Sequence, residues 1–183
     1  MSRIFDTLFS FLGLVFLSPI LIVLIMIGYF DTGSPIFRQE RVGKGKQPFR
    51  LMKFRSMYVN APSVATHLAS ASSITPFGRF LRKSKLDELP QLWHVLVGDM
   101  SLVGPRPNLY NQEELIHERN SRGVYSVRPG ITGLAQINKI DMSTPQLLAE
   151  TDAKMIEHLN VWYYFKYIFL TVFGKGFGDR VRK

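Results

Sequence analysis

Asp87 and Glu88 stand side by side in a chain where 14 Asp+Glu are outnumbered by 23 Lys+Arg. An adjacent pair of carboxylates among basic residues is costly for a purely structural segment and points to chemistry on an anionic substrate. Seventeen positions beyond Glu88, Pro105-Arg106-Pro107 holds one guanidinium between two prolines, whose rings lock φ and pre-orient a bidentate contact to an anion. Arg128-Pro129-Gly130 repeats the device, and Arg50, Lys53 and Arg55 lie close together on a predicted strand, as a phosphate-binding wall would require. Each residue also has a plain structural reading. An acid at a helix start complements the dipole, a loop arginine bonds local carbonyls, and a strand's basic residues make a solvated face.

These residues need elements to hold them. Positions 34–43 and 48–57 read as two short strands joined at Lys44-Gly45-Lys46, with Phe49, Leu51 and Phe54 inward and Arg50, Lys53 and Arg55 on another side. Positions 60–73 are small and polar and predict a loop or mobile lid. Thr75 as cap and Pro76 at the first helical position start a helix whose buried stripe is Phe77, Phe80 and Leu81. Leu86, Leu89, Leu92, Trp93 and Leu96 have helical spacing, so Asp87 and Glu88 fall near the start of an amphipathic helix ended by Gly98. Positions 111–120 predict an exposed helix, and 144–159 a surface helix capped by Thr144. The aromatic stretch 161–170, followed by Lys175, Arg180, Arg182 and Lys183, predicts an interfacial helix.

The 183 residues suffice for one sizeable core plus an appendage. A net charge of +9 implies a face that attracts phosphate, anionic lipid or nucleic acid, but the basic residues are scattered among Pro/Gly turns with no base-reading pattern, which disfavours nucleic acid. The absence of Cys excludes a disulfide scaffold and suits a reducing compartment. From Thr7 to Phe30 no residue is charged, a length that crosses a hydrocarbon core and outruns a cleavable signal. Pro19 predicts a kink there, with Ser18 able to bond the freed carbonyl. The run alone favours a spanning helix over one that turns back, while basic residues on both flanks, Arg3 and Arg38 to Lys46, suit the re-entrant form.

The ordered set Ser18-Pro19, Lys53 to Met57, Leu86 to Trp93, Gly98 to Pro107 and Arg128 to Gly133 resembles the bacterial sugar transferases, the small monotopic polyprenyl-phosphate phosphoglycosyl transferases. The resemblance implies an α+β, mostly helical fold. Residues 1–31 would form a re-entrant membrane helix broken at Ser18-Pro19, and residues 32–183 a membrane-associated catalytic domain on the cytosolic face of the bacterial inner membrane. It implies transfer of a sugar 1-phosphate from a UDP-sugar to undecaprenyl phosphate, with loss of UMP and the help of Mg2+. Asp87 would be the nucleophile that carries the phosphosugar, and Glu88 a catalytic partner and metal ligand. Lys53, Arg55, Arg79, Arg82, Pro105, Arg106 and Arg128 would line the substrate. Larger members carry a domain ahead of this core, so the chain is expected to be a minimal catalytic form, and a homo-oligomer stays open. His94 stands where the family often has Asn, and 135–141 lacks its usual Asn-Gly-Arg, which leaves the sugar open. Two other readings remain: direct attack by the acceptor with Asp87 as general base, and a non-catalytic anchored basic module that binds anionic lipid or phosphorylated partners.

Overall fold

The computed structural model describes residues 2–61 and 71–173; most of the expected loop at 60–73 and the basic residues beyond 173 lie outside them. The uncharged N-terminal run forms helix α1 (Ser2–Thr32), the conformation that satisfies every backbone group within the segment. Pro19 has no N–H to give the Val15 carbonyl, and the Ser18 hydroxyl takes its place at 2.7 Å. The expected break at Ser18-Pro19 is thus one missing main-chain bond inside one helix rather than a gap between two. By length and composition α1 is able to cross a membrane.

Strands β1 (Ile36–Val42) and β2 (Pro48–Phe54) form an antiparallel pair with Gln39 opposite Leu51. The alternation of a strand puts residues 49, 51 and 53 on one face. Lys53 is therefore buried beside Leu51 and on the face opposite the exposed Arg50, while Arg55, beyond the strand, donates to the Ser34 carbonyl at 2.8 Å, so the three do not line one wall.

Helix α2 (Pro76–Ser84) starts as expected, with the Thr75 hydroxyl accepting from the Gly78 N–H at 2.8 Å. Leu81 is fully buried, but Phe80 is exposed and drops out of the predicted stripe. Lys85 takes a left-handed conformation (φ +59°) that ends α2 and turns the chain sharply into the 3-10 turn Leu86–Glu88. Helix α3 (Gln91–Val97) follows and ends at Gly98. This segment is the reverse of the expected amphipathic helix. Its buried face is Asp87, Glu88, Gln91, His94 and Val95, while Trp93 of the apolar stripe is half exposed. Leu86 and Leu89 of that stripe pack with Leu21 and Leu24 of α1, so the segment turns its polar side inward and its apolar side toward α1.

Strands β3 (Ser101–Val103) and β4 (Gly130–Thr132) pair in parallel. Helix α4 (Glu113–Ser121) and helix α6 (Pro145–His158) pack together, with the short α5 (Leu134–Ile137) packed against α6. Thr144 occupies the cap position of α6 without a side-chain cap bond. The last described helix is α7 (Val161–Val172), capped by the Asn160 side chain, which accepts from the Tyr163 N–H at 3.0 Å. Tyr164 and Tyr167 are buried, while Trp162 and Phe169 are exposed, and Phe165 sets its edge against Phe5 and Phe9 of α1.

Two buried polar junctions hold this arrangement. Asp6 of α1, which the charge pattern left unremarked, accepts from the Ser101 hydroxyl (3.0 Å), the Leu102 N–H (2.9 Å) and the Tyr164 hydroxyl (2.7 Å). Burial and the Asp6 carboxylate push the Tyr164 phenol up, so it stays a donor. Between α4 and α6, Arg119 donates to Asp152 Oδ2 from Nε (3.0 Å) and Nη2 (2.6 Å), with both side chains sealed from solvent. Burial pushes the Asp152 carboxyl up and the guanidinium opposes it. Breaking such a pair strands a charge in the core, so Asp152→Ala is expected to cost about 3–5 kcal/mol. Thermal denaturation of the purified variant should read this as a midpoint roughly 6–20 °C lower.

Candidate active site

The tight turn at Lys85 aims Asp87 and Glu88 into the body of the protein, where β2 packs against them. Asp87 is 2% exposed and Glu88 9%. Burying two adjacent acids requires compensation. Arg106 supplies it, donating from Nη2 to Glu88 Oε1 at 2.6 Å.

Two loops with main chains in direct contact deliver the site's arginines. Gly104 N–H donates to the Thr132 carbonyl and Gly130 N–H to the Pro105 carbonyl, each at 2.8 Å. A β-carbon on Gly130 would fall 2.0 Å from the Gly104 nitrogen, so only glycine allows this approach. The loop that carries Arg106 and the loop that carries Arg128 are thereby one unit, with Pro105 buried between them and the core. Arg128 spends its Nε on the Gly98 carbonyl at 2.7 Å, at the end of α3. That leaves its two terminal nitrogens as the groups able to meet a ligand.

Behind the Arg106 loop sits a support that the sequence did not mark. Arg119 Nη1 donates to the Arg106 carbonyl (2.8 Å) and to Asn108 Oδ1 (2.9 Å) while its other nitrogens hold Asp152. Arg41 of β1 donates to the Pro107 carbonyl at 3.4 Å. An Arg on a polar helix and one of three acids on its neighbour were the available signals, and nothing in their spacing paired them. His94 Nε2 accepts from the Met52 N–H at 3.1 Å, which leaves Nδ1 to donate to Asp99 at 3.0 Å. It thus ties α3 to the strand that carries Lys53.

The remaining predicted site residues are distributed unevenly. Lys53 is buried on β2, whose strand packs on the acidic turn. Arg82 donates from Nε to the Ser56 hydroxyl at 2.8 Å. Arg55 is turned to the exit of α1, donating to the Ser34 carbonyl at 2.8 Å and lying over Phe37, and Arg79 is exposed on α2. Ser18 and Pro19 lie within α1, in its exposed middle stretch.

The donor set suits magnesium. Asp87 and Glu88 offer hard oxygen ligands, and this ion is commonly held by one or two carboxylates with substrate phosphates completing its shell. Among the described residues no cluster of three or more His, Asp or Glu forms a dedicated metal cage. A carboxylate pair, a clamped guanidinium and a second arginine on a fused loop together equip the site for phosphoryl transfer.

A family model described as bacterial sugar transferase matches residues 1–176. The chain is similar to a UDP-glucose:undecaprenyl-phosphate glucose-1-phosphate transferase of Klebsiella pneumoniae, 42% identical over 96% of this chain and 40% of that protein. It is 39% identical to the protein of the same name in Escherichia coli (strain K12), over 98% of this chain and 41% of the relative. It is also 38% identical to the uncharacterized sugar transferase EpsL of Bacillus subtilis (strain 168), over 94% of this chain and 85% of the relative. The chain spans about two fifths of the length of the first two. With five motifs in order, a site fitted to phosphoryl transfer and a match over nearly its whole length, the chain belongs to the bacterial sugar transferase family.

Proposed function

We propose that this chain is a phosphoglycosyl transferase that moves a sugar 1-phosphate from a UDP-sugar to undecaprenyl phosphate. The observation that carries the reading is the buried Asp87 beside a Glu88 already clamped by Arg106 at 2.6 Å. The names of the Klebsiella and Escherichia relatives supply donor and acceptor class. A basic lipid-binding module would leave this acidic pair without a purpose.

In the first step a carboxylate oxygen of Asp87 attacks the phosphorus that bears the sugar. The P–O bond to UMP breaks, UMP leaves with the bridging oxygen, and Asp87 holds the phosphosugar as an acyl phosphate. In the second step an oxygen of the lipid phosphate attacks the same phosphorus, the Asp87–phosphorus bond breaks, and the carboxylate is restored. Low solvent exposure at Asp87 protects the intermediate from water. Arg106 and Arg128 hold phosphate oxygens, with Lys53 adding charge from β2. Glu88, with Asp87, would hold a magnesium ion, which screens phosphate charge when bound.

The proposal places the protein at the cytoplasmic membrane of a bacterium with the catalytic residues on the cytosolic face and α1 re-entrant. The contacts of α1 support that topology. Near its start Arg3 donates to the Val95 and Leu96 carbonyls and Asp6 is fixed by Ser101 and Tyr164, while at its end Asp31 accepts from Thr75 at 2.7 Å. Both ends of the helix rest on one packed body. A straight span would carry one set of these polar contacts to the far side of the bilayer.

UMP release with undecaprenyl phosphate and magnesium should appear for at least one of UDP-glucose, UDP-galactose and UDP-N-acetylglucosamine. Asp87→Asn should lower it by about 10³-fold or more with folding intact. Labelled phosphosugar should be trapped on wild-type protein when acceptor is withheld; turnover without trapped label would favour direct attack instead. Arg106→Ala should lower kcat by about 10²–10³-fold while membrane flotation is unchanged. Because the chain has no Cys, Ser2→Cys and Glu40→Cys each give a single thiol. Both should react with an impermeant maleimide in inside-out vesicles and neither in right-side-out ones; labelling from opposite sides would establish a spanning helix.

A further inference from the structure

We infer that Gln91 is a further catalytic residue of this site, its side-chain amide donating a hydrogen bond to the phosphoryl group carried by Asp87. The inference rests on the transferase reading above. Gln91 is 2% exposed, yet its Nε2 has no hydrogen-bond acceptor. A buried amide donor left unmet is costly, and native structures contain few of them. A methionine of the same length would avoid that cost.

The position of Gln91 says what the donor is for. The chain keeps a right-handed helical path from the acidic turn into α3, with Leu89 N–H bonded to the Leu86 carbonyl, Leu92 N–H to Leu89 and Trp93 N–H to Pro90. Residues three and four apart on such a path share a face. Gln91 therefore lies one turn beyond both Glu88 and Asp87, on the same buried face. Two neighbours on that face are already engaged: Glu88 accepts from Arg106, and His94 is held by Met52 and Asp99. The Gln91 amide nitrogen is left for a group that arrives, and what arrives at Asp87 is a phosphoryl with negative oxygens. A neutral donor suits this place. It does not quench the Asp87 carboxylate before attack, and its bond strengthens as charge builds on the phosphoryl oxygens.

The test is Gln91→Met in the full chain, purified in the same detergent as wild type, with Gln91→Asn as a variant that keeps the amide on a shorter stem. The donor is whichever of UDP-glucose, UDP-galactose and UDP-N-acetylglucosamine the wild type uses. For Gln91→Met the denaturation midpoint without substrate should be unchanged or raised. The KM for donor should stay within about threefold, while kcat and the rate of covalent labelling fall by about 10²–10³-fold. Gln91→Asn should recover part of the loss. A Gln91→Met enzyme with kcat within about threefold of wild type overturns the inference. So does a lowered midpoint with KM and kcat shifted together, which would make Gln91 a packing residue. Wild type that releases no UMP and takes up no label with any of these donors removes the transferase reading and this inference with it.

Discussion

The buried pairing of Arg119 with Asp152 is the interaction on which the candidate site depends. A guanidinium has five donors in a rigid fork, and in the core every one of them must be placed. Three bonds anchor it to Asp152 and Asn108, and a fourth reaches the Arg106 carbonyl. The loop between two prolines is thereby pinned from behind, and the guanidinium at its tip is presented to Glu88. Loss of the pair would unseat the arginine that compensates the buried acids, so the charges of core and site form one connected system.

The same economy appears where the domain meets α1. α1 exposes large apolar side chains along its middle, among them Phe16 and Ile22, while Arg3, Asp6 and Asp31 tie its two ends to the domain through polar contacts. Ionisable groups in such a segment are costly in lipid and find their partners in protein. Asp6 binds β3, which leads directly into the Gly104 loop, and α7, which carries the exposed aromatics. Holding α1 and shaping the site therefore share one strand.

Much of this was legible in the residues. The length of the apolar run, the Ser18 bond that replaces the one Pro19 lacks, the Thr75 cap, the hairpin and the stiff arginine loops all depend on neighbours in sequence, and their local chemistry carried them. The errors share a cause. Phe80 and Trp93 read as core because helical spacing shows which side chains share a face, not what that face meets. Here the apolar face meets α1 in part and is exposed in part, and the polar face turns inward to form the candidate site. Lys53 was placed by charge with Arg50 and Arg55, although strand alternation sets it opposite Arg50 and Arg55 is drawn off to Ser34 by a tertiary contact.

By itself, then, the sequence determined which segments form helices and strands, that one segment is apolar enough for a membrane, and which residues have the chemistry for phosphoryl transfer. The tertiary structure decided which of those charges meet. It brought Arg106 to Glu88, gave Arg55 to Ser34 and exposed Arg79, paired Arg119 with Asp152, and left the Gln91 amide open beside the acidic turn. The physical reason is that hydrogen bonds and ion pairs act over a few ångströms. Partners tens of residues apart become partners only once the backbone has closed around them.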